Sequence, residues 1–294
     1  MMKTIITSLT KEYFSSLEVL HTGFIGNFDS PEDLQNFRTY IRIRSHLIKI
    51  AIQSSTPPSI IGYVICDQTS RYKARVYSLF VLPPFQRRHV GSNLIQAVEE
   101  EFLRNFPDLR YLSVRIPEKY SDSETFFLKQ GFNLITKINY YVKNDLSFPF
   151  EINPNIEIRV ATMEDIKHLV KLERICFSEY WQKSAEVFKK NILLDNGIFF
   201  VAFLEGELVG YNFNTVSSNK TEGQYARIAT LPKFRRRHIA TSLTAKAFEW
   251  FETQRTIQRV ILTTFAESDY HNAMYQSWGF RLSDQELIMA KNYY

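Results

Sequence analysis

The chain has 294 residues, 45% hydrophobic and 23% charged, which excludes a disordered or fibrous protein and suits two domains of ordinary size. Its formal net charge of +5 is too small by itself to argue for a nucleic-acid binder. Much of the excess sits in two short clusters, Arg87–Arg88 and Arg235–Arg237, and clustered charge suits a local anionic ligand.

Two cysteines, Cys66 and Cys176, with no CxxC spacing argue against a disulfide framework or a zinc site, so no metal and a cytoplasmic setting are expected. No run of about 18 apolar residues could cross a membrane. The N-terminal MMKTIITSLTKEYF has neither a long apolar run nor a small-residue cleavage site, so no secretory signal is expected.

In chain order, the first clear element is a strand over Tyr77–Leu82, stopped at Pro83, with a helix beginning near Gly91. Residues 144–157, NDLSFPFEINPNIE, mix Pro and Asn and read as a join, with a boundary near residue 150. Ile156–Val160 then alternates as a strand. Met163–Phe177 sets Ile166, Leu169, Val170, Leu172 and Ile175 on one helical face behind a candidate N-cap, Thr162. Gly197–Phe203 and Leu208–Phe213 read as strands around a turn at Glu205–Gly206. Tyr225–Leu231 is a strand stopped by Pro232, Ser242–Thr253 a helix and Arg259–Phe265 a β-branched strand. Tyr270–Trp278 reads as a short helix closed by Gly279, and Glu286–Lys291 as the last strand. This order predicts an α/β fold, a mixed sheet covered by helices.

The chain also repeats itself. Residues 82–94, LPPFQRRHVGSNL, and 231–243, LPKFRRRHIATSL, are identical at seven of thirteen positions, offset by 149 residues from Pro83 to Pro232. Gly62–Tyr63 and Gly131–Phe132 recur at Gly210–Tyr211 and Gly279–Phe280, offset by 148. Three blocks in one order and within one residue of register indicate a duplicated unit, with domains expected at 1–147 and 154–294.

Chemistry is most legible between the Pro-stopped strand and the helix. Helix-start amides point outward unpaired, and the dipole there favours an anion. A small residue, Gly91 or Ala240, lets the backbone come close, and flanking Arg add charge-assisted hydrogen bonds to phosphate oxygens. A pyrophosphate-sized anion is therefore expected at each loop. The loop is neither a P-loop nor a dinucleotide GxGxxG.

The segments VLPPFQRRHVGSNL and TLPKFRRRHIATSL resemble the acetyl-CoA-binding motif of the GNAT superfamily of N-acetyltransferases, V-x-P-x-x-[QR]-x-x-G-x-[GA] ahead of a helix. Both copies depart from it alike: His89 and His238 stand where the family most often has its first Gly. Histidine tolerates the left-handed conformation better than most side chains, so the loop can keep its shape. HNAMYQSWGF at 271–280 resembles the family's second signature, N-x-x-A-x-x-x-Y-x-x-x-G-F, in compressed form. IEIRVATMEDIKHLVKLERICFSEYW resembles its first strand and substrate-side helix.

That resemblance implies two tandem GNAT-like acyl-CoA N-acyltransferase domains, each with a central mixed sheet splayed where pantetheine inserts. Acetyl-CoA would lie against Leu231, Arg235, Arg236, Arg237, His238, Ile239, Ala240 and Thr241 in the second copy. In the first it would meet Val81, Gln86, Arg87, Arg88, His89, Val90, Gly91 and Ser92. The family's carbonyl-polarising backbone amide maps to Val81 and Thr230. Its sulfur-facing Tyr maps to Tyr275, where the first copy has Phe127, and its coenzyme-contacting Asn to Asn272, where the first copy has Glu124. Tyr225 and Arg227 occupy the strand positions that would offer a carboxylate base, leaving a water, Glu173 or Glu179 for that role. Trp278 and Cys176 read as buried side chains, not as ligand and nucleophile.

The expected activity is acetyl-CoA-dependent N-acetylation of a primary amine, on a small molecule or a protein, by direct attack on the thioester. The second copy is expected to turn over and the first to be degenerate or structural. Two other readings stay open: a non-catalytic acyl-CoA-binding protein, and an aminoacyl-tRNA-dependent transferase of related tandem fold. Nucleic acid and membrane are not expected partners.

Overall fold

A computed structural model describes residues 4–25, 31–43, 45–150 and 152–293. It divides into two units, Met1–Lys137 with Glu286–Tyr294, and Ile138–Gln285. In chain order the first repeat forms β1 (Thr4–Ser8), α1 (Phe14–Ile25), α2 (Pro31–Ile43), β2 (Ile48–Gln53), β3 (Ser59–Ser70), β4 (Lys73–Val81), α3 (Val90–Asn105), β5 (Tyr111–Pro117), α4 (Ser123–Lys129) and β6 (Asn133–Lys143). The second forms β7 (Glu157–Val160), α5 (Ile166–Cys176), α6 (Ala185–Ile192), β8 (Gly197–Leu204), β9 (Glu207–Val216), β10 (Glu222–Thr230), α7 (Ile239–Thr253), β11 (Arg259–Phe265), α8 (Asp269–Ser277) and β12 (Arg281–Asn292).

Within the first unit β1, β2, β3 and β4 pair antiparallel in sequence order, and β5 pairs parallel to β4. The second unit repeats this with β7, β8, β9 and β10, and with β11 parallel to β10. The mixed, helix-covered sheet expected from the sequence is therefore present in both units.

The compact units differ from the sequence repeats in their last strand. Ile138–Lys143 of β6 pairs antiparallel with β11 in the second unit. Glu286–Asn292 of β12 pairs antiparallel with β5 in the first. Each repeat thus gives its final strand to the sheet built by the other. Alternation along a strand fixes which face each residue meets, but not which neighbour the strand takes.

The helices cover both sheet faces for a simple reason of spacing. In α3, Val90, Leu94, Ile95, Val98 and Phe102 recur at helical intervals and are buried, closing a core with Ala51, Val64, Leu112 and Met289. On the other face of that sheet Leu17 and Ile41 pack on Ile48, Ile50 and Tyr63. In the second unit Ala247, Phe248 and Phe251 of α7 cover one face, and Leu169, Leu172 and Phe188 cover the other. Thr162 forms the expected N-terminal cap, paired reciprocally with Asp165. Helix α7 begins at Ile239, three residues before the expected Ser242, because the left-handed His238 (φ 60°) turns the chain directly into the helix.

Candidate active site

The parallel pairing of β4 with β5 covers only Lys73–Val76. That of β10 with β11 covers only Glu222–Tyr225. The register of each strand against its antiparallel neighbour shifts at the next residue, Tyr77 in one unit and Ala226 in the other. A bulge adds twist and bends its strand, so in each unit the parallel pair comes apart just past it. The edge beyond is aimed by the alternation of backbone amides. Leu82 N–H donates to Ile61 O at 2.9 Å and Leu231 N–H to Val209 O at 2.9 Å. Successive amides point to opposite edges, so the amides of Val81 and Thr230 point into the opening. Gly62 and Gly210 explain their recurrence here. A Cβ on either would lie 2.8 Å from Phe80 O or 2.9 Å from Ala229 O across the strand pair, closer than real Cβ atoms come.

Past the opening, the two Arg-rich loops take one backbone shape. Arg87 and His89 have φ of 59° and 60°, and Arg236 and His238 have φ of 65° and 60°. Two left-handed residues separated by one ordinary residue curl successive N–H groups into an anion-binding concavity. The first bonds inside the helices are Asn93 N–H to His89 O and Ser242 N–H to His238 O, each 2.9 Å. The amides of residues 89–92 and 238–241 therefore precede the helical ladder. Arg87, Arg88, Arg235, Arg236 and Arg237 are exposed, as are His89 and His238. Arg236 stacks over Tyr270 at 4.9 Å and Arg237 over Phe234 at 5.5 Å. Gln86 Nε2 donates to Val81 O at 2.9 Å, tying the first loop to its strand. The flanking Leu231 and Ile239 are buried, Val90 too, while Ala240, Thr241, Gly91 and Ser92 are half-buried.

Residues 144–150 and 152–156 are a packed strap on the second unit. Phe148 stacks on Phe248 at 5.1 Å. Asn153 donates its backbone N–H to Ser242 Oγ at 3.0 Å and its side-chain amide to Arg237 O at 3.1 Å. The sequence reading of a join missed this brace on the loop.

Tyr275 is 5% exposed. Its ring packs with Tyr141, Trp278 and Phe280 at 5.6 to 6.3 Å, and its hydroxyl takes no hydrogen bond among the described residues. Burial, with Tyr225 beside it, pushes the phenol above its ordinary value, so it stays protonated. Phe127, at the matching place in the first unit, is equally buried. Trp278 is a core residue, as expected. Asn272 is committed internally. Its Oδ1 accepts from Asn139 Nδ2 at 3.0 Å and Tyr141 Oη at 3.1 Å, and its Nδ2 donates to Ala266 O at 2.9 Å and Phe265 O at 3.3 Å. All four positions of the amide are used, and two of them hold β6. Thr230 Oγ1, by contrast, is buried without a partner among the described residues.

Glu173, one of the carboxylates considered as a base, is fully buried. It pairs with the Arg227 guanidinium and accepts from the Tyr211 hydroxyl and from Lys183 N–H. Arg227 Nε donates to Tyr211 Oη at 3.0 Å, Arg227 also donates to Trp181 O at 2.8 Å, and its guanidinium lies 3.8 Å over the Phe177 ring. A carboxylate so fully engaged is poorly placed to take a substrate proton. Glu179 is exposed. Cys176 is half-buried rather than buried. Its Sγ donates to Thr230 O at 3.5 Å, and burial raises the thiol to about 11, which makes it a poor nucleophile.

Among the described residues no cluster of His, Cys, Asp and Glu could hold a metal, and no helix is long and apolar enough to cross a membrane.

Residues 12–132 and again 166–280 match the family described as the acetyltransferase (GNAT) family. An N-alpha-acetyltransferase of Sulfolobus acidocaldarius is 27% identical over 150 residues, 48% of this chain and 86% of that protein. One of Saccharolobus solfataricus is 25% identical over 148 residues, 47% and 84%. Among solved structures, a GCN5-related N-acetyltransferase from Sphaerobacter thermophilus aligns over 98% of this chain and 95% of its own, with a TM-score of 0.70 and 14% identity. A tandem GNAT protein from the clavulanic acid biosynthesis pathway aligns over 99% and 98%, with a TM-score of 0.66 and 14% identity.

Proposed function

The chain belongs to the acetyltransferase (GNAT) family as a tandem N-acyltransferase, and we propose that it transfers acetyl from acetyl-CoA to a primary amine by direct attack on the thioester. The observation that carries this reading is the juxtaposition, in both units, of an unpaired strand edge with a left-handed, Arg-rich helix start. The residues fit the coenzyme: helix-start amides and Arg for its pyrophosphate, the open edge of Arg227–Thr230 or Tyr77–Val81 for its pantetheine, and the unpartnered Thr230 hydroxyl at that edge.

Acetyl-CoA supplies the activated acyl group, and the chain supplies its placement. The Thr230 or Val81 amide donates to the thioester oxygen as charge builds there, an interaction that counts most at the transition state. Tyr275, held protonated by burial, donates a hydrogen bond to the departing sulfur. His89 and His238 serve as left-handed loop residues and take no acid–base part. The acceptor amine must be neutral to attack, and Glu173 is tied to Arg227, so a water or the exposed Glu179 takes the proton in the second unit. The name shared by two relatives, N-alpha-acetyltransferase, supports an α-amine as the first acceptor to test, and two cysteines without CxxC spacing suit a cytoplasmic setting.

Calorimetry with CoA, followed by a thiol-release assay with acetyl-CoA over peptides and small amines, tests the proposal. Binding with turnover on a peptide α-amine is the expected result. Binding without release on any amine would leave a non-catalytic acyl-CoA-binding protein, and absence of binding would end the reading.

A further inference from the structure

The first unit lacks the tyrosine that the second offers to the sulfur, yet it holds a chain of proton-carrying groups that the second lacks. Tyr63 and Tyr211 occupy matching places in the central strands β3 and β9, and both are fully buried. Ser78 and Arg227 match in the same way, each one residue past the bulge and so on the open edge of its strand. What surrounds the two tyrosines differs. Tyr211 donates to Glu173 and accepts from Arg227, which are themselves paired. Three permanent partners saturate one another, and none is available to a substrate.

In the first unit the arginine is replaced by Ser78, which faces Ile65 across the β3–β4 pair and so stands diagonally from Tyr63 on the same face of the sheet, within side-chain reach. The acid is replaced by a histidine from α1: His21 Nδ1 lies 2.7 Å from Tyr63 Oη. The imidazole is only 7% exposed, and it stacks on Phe37 at 4.4 Å with the rings 13° apart, which fixes its orientation. Burial lowers the pKa of His21, so the imidazole is neutral near pH 7 and can accept a proton. The near end of the chain is reachable, because Ser78 is half-buried.

We propose that Ser78, Tyr63 and His21 form a proton relay that gives the first unit a catalytic centre of its own. This rests on the reading above that the unit's loop holds acetyl-CoA. The acceptor nitrogen forms its bond to the acyl carbon as the carbon–sulfur bond breaks, and sulfur keeps that electron pair. The nitrogen's proton passes to Ser78 Oγ while the Ser78 proton passes to Tyr63 Oη and the Tyr63 proton to His21. The imidazolium returns its proton through the same chain, and the thiolate leaves as the thiol. Ser78 is the catalytic residue that meets the amine, and Tyr63 and His21 act through it.

The test uses the full chain with Ala240→Asp, which sets a carboxylate in the second unit's loop and leaves the first unit's centre to be measured alone. One CoA per chain and continued thiol release are expected. On that background Ser78→Ala and His21→Asn each lower kcat at least about tenfold, within the range of general acid–base assistance, while KM for acetyl-CoA and the calorimetric Kd for CoA hold within about twofold. Ser78→Thr, which restores a hydroxyl, recovers most of kcat. A side chain with only a packing role would not split kcat from KM and Kd in this way. Loss of all binding in Ala240→Asp, one-site binding without turnover, or an unchanged kcat in Ser78→Ala overturns the relay alone. Failure of the unmodified chain to bind CoA overturns the relay and the coenzyme reading together.

Discussion

Glu173→Gln separates two roles for the buried carboxylate. The substitution keeps the shape of the side chain and removes its charge. Arg227, whose side chain is 18% exposed, is then left with only neutral acceptors: the glutamine oxygen, Trp181 O at 2.8 Å and the Tyr211 hydroxyl. Breaking a buried ion pair on one side costs about 3–5 kcal/mol, and the partial exposure of Arg227 puts this case near about 3 kcal/mol. For a unit of this size that corresponds to a fall of about 6–12 °C in melting temperature. Replacing both partners, as Glu173→Leu with Arg227→Met, removes the charges together and should recover most of the loss, since apolar substitutes for a buried pair are close to neutral. Differential scanning calorimetry of the wild type, the two single variants and the double variant gives the cycle directly. If Glu173→Gln leaves the melt unmoved while abolishing turnover, the carboxylate is a base and the ion-pair account is wrong.

Other outcomes follow from the same geometry. Tyr275→Phe keeps a ring packed against Tyr141, Trp278 and Phe280 and removes a hydroxyl with no partner among the described residues. With the first unit's loop blocked by Gly91→Asp, turnover should fall by about 10²-fold with CoA affinity of the second unit and melting temperature unchanged, as read by kinetics, calorimetry and thermal denaturation. Gly210→Ala would place a Cβ 2.9 Å from Ala229 O and 3.0 Å from Ile239 Cγ2, so chemical denaturation should show a loss of about 1–3 kcal/mol and CoA binding should weaken. His238→Gly should bind CoA as the wild type does. His238→Val, forced to φ near 60°, should bind about tenfold more weakly, since a left-handed β-branched residue costs about 1–2 kcal/mol. Asp165 is held below its ordinary value by the two-pronged Arg159 contact, 2.8 Å on each oxygen. Its lowered folded-state pKa contributes stability above its unfolded value, and that stability is lost as pH falls through the folded value. Arg159 is 40% exposed, so solvent screening keeps the effect near about 1 kcal/mol; Asp165→Asn should lose that at pH 7 and match the wild type once pH falls well below about 4.

What the sequence made legible was local. A strand ended by Pro, a run of Arg and a small residue at a helix start lie within a few positions of one another, and their repetition marks the loops at residues 83–91 and 232–240. The left-handed His89 and His238 follow from the same local logic. Pairing was the part that stayed hidden. The bulges at Tyr77 and Ala226 leave no residue-type signature, because an extra residue in a strand looks like any other in a β-branched or aromatic run. The exchange of β6 and β12 depends on which neighbour a strand meets, and the alternation of either strand suits both choices. The ion pair was nearer to hand. Glu173 lies four residues after Leu169 and one after Leu172, on the apolar stripe that the helical period buries. A buried acid needs a cation or a proton, and Arg227 stands on the strand beneath that helix. Taken apart, Glu173 suggests a base and Arg227 the residue displacing one, but the spacing of the buried stripe already requires Glu173 to have a partner.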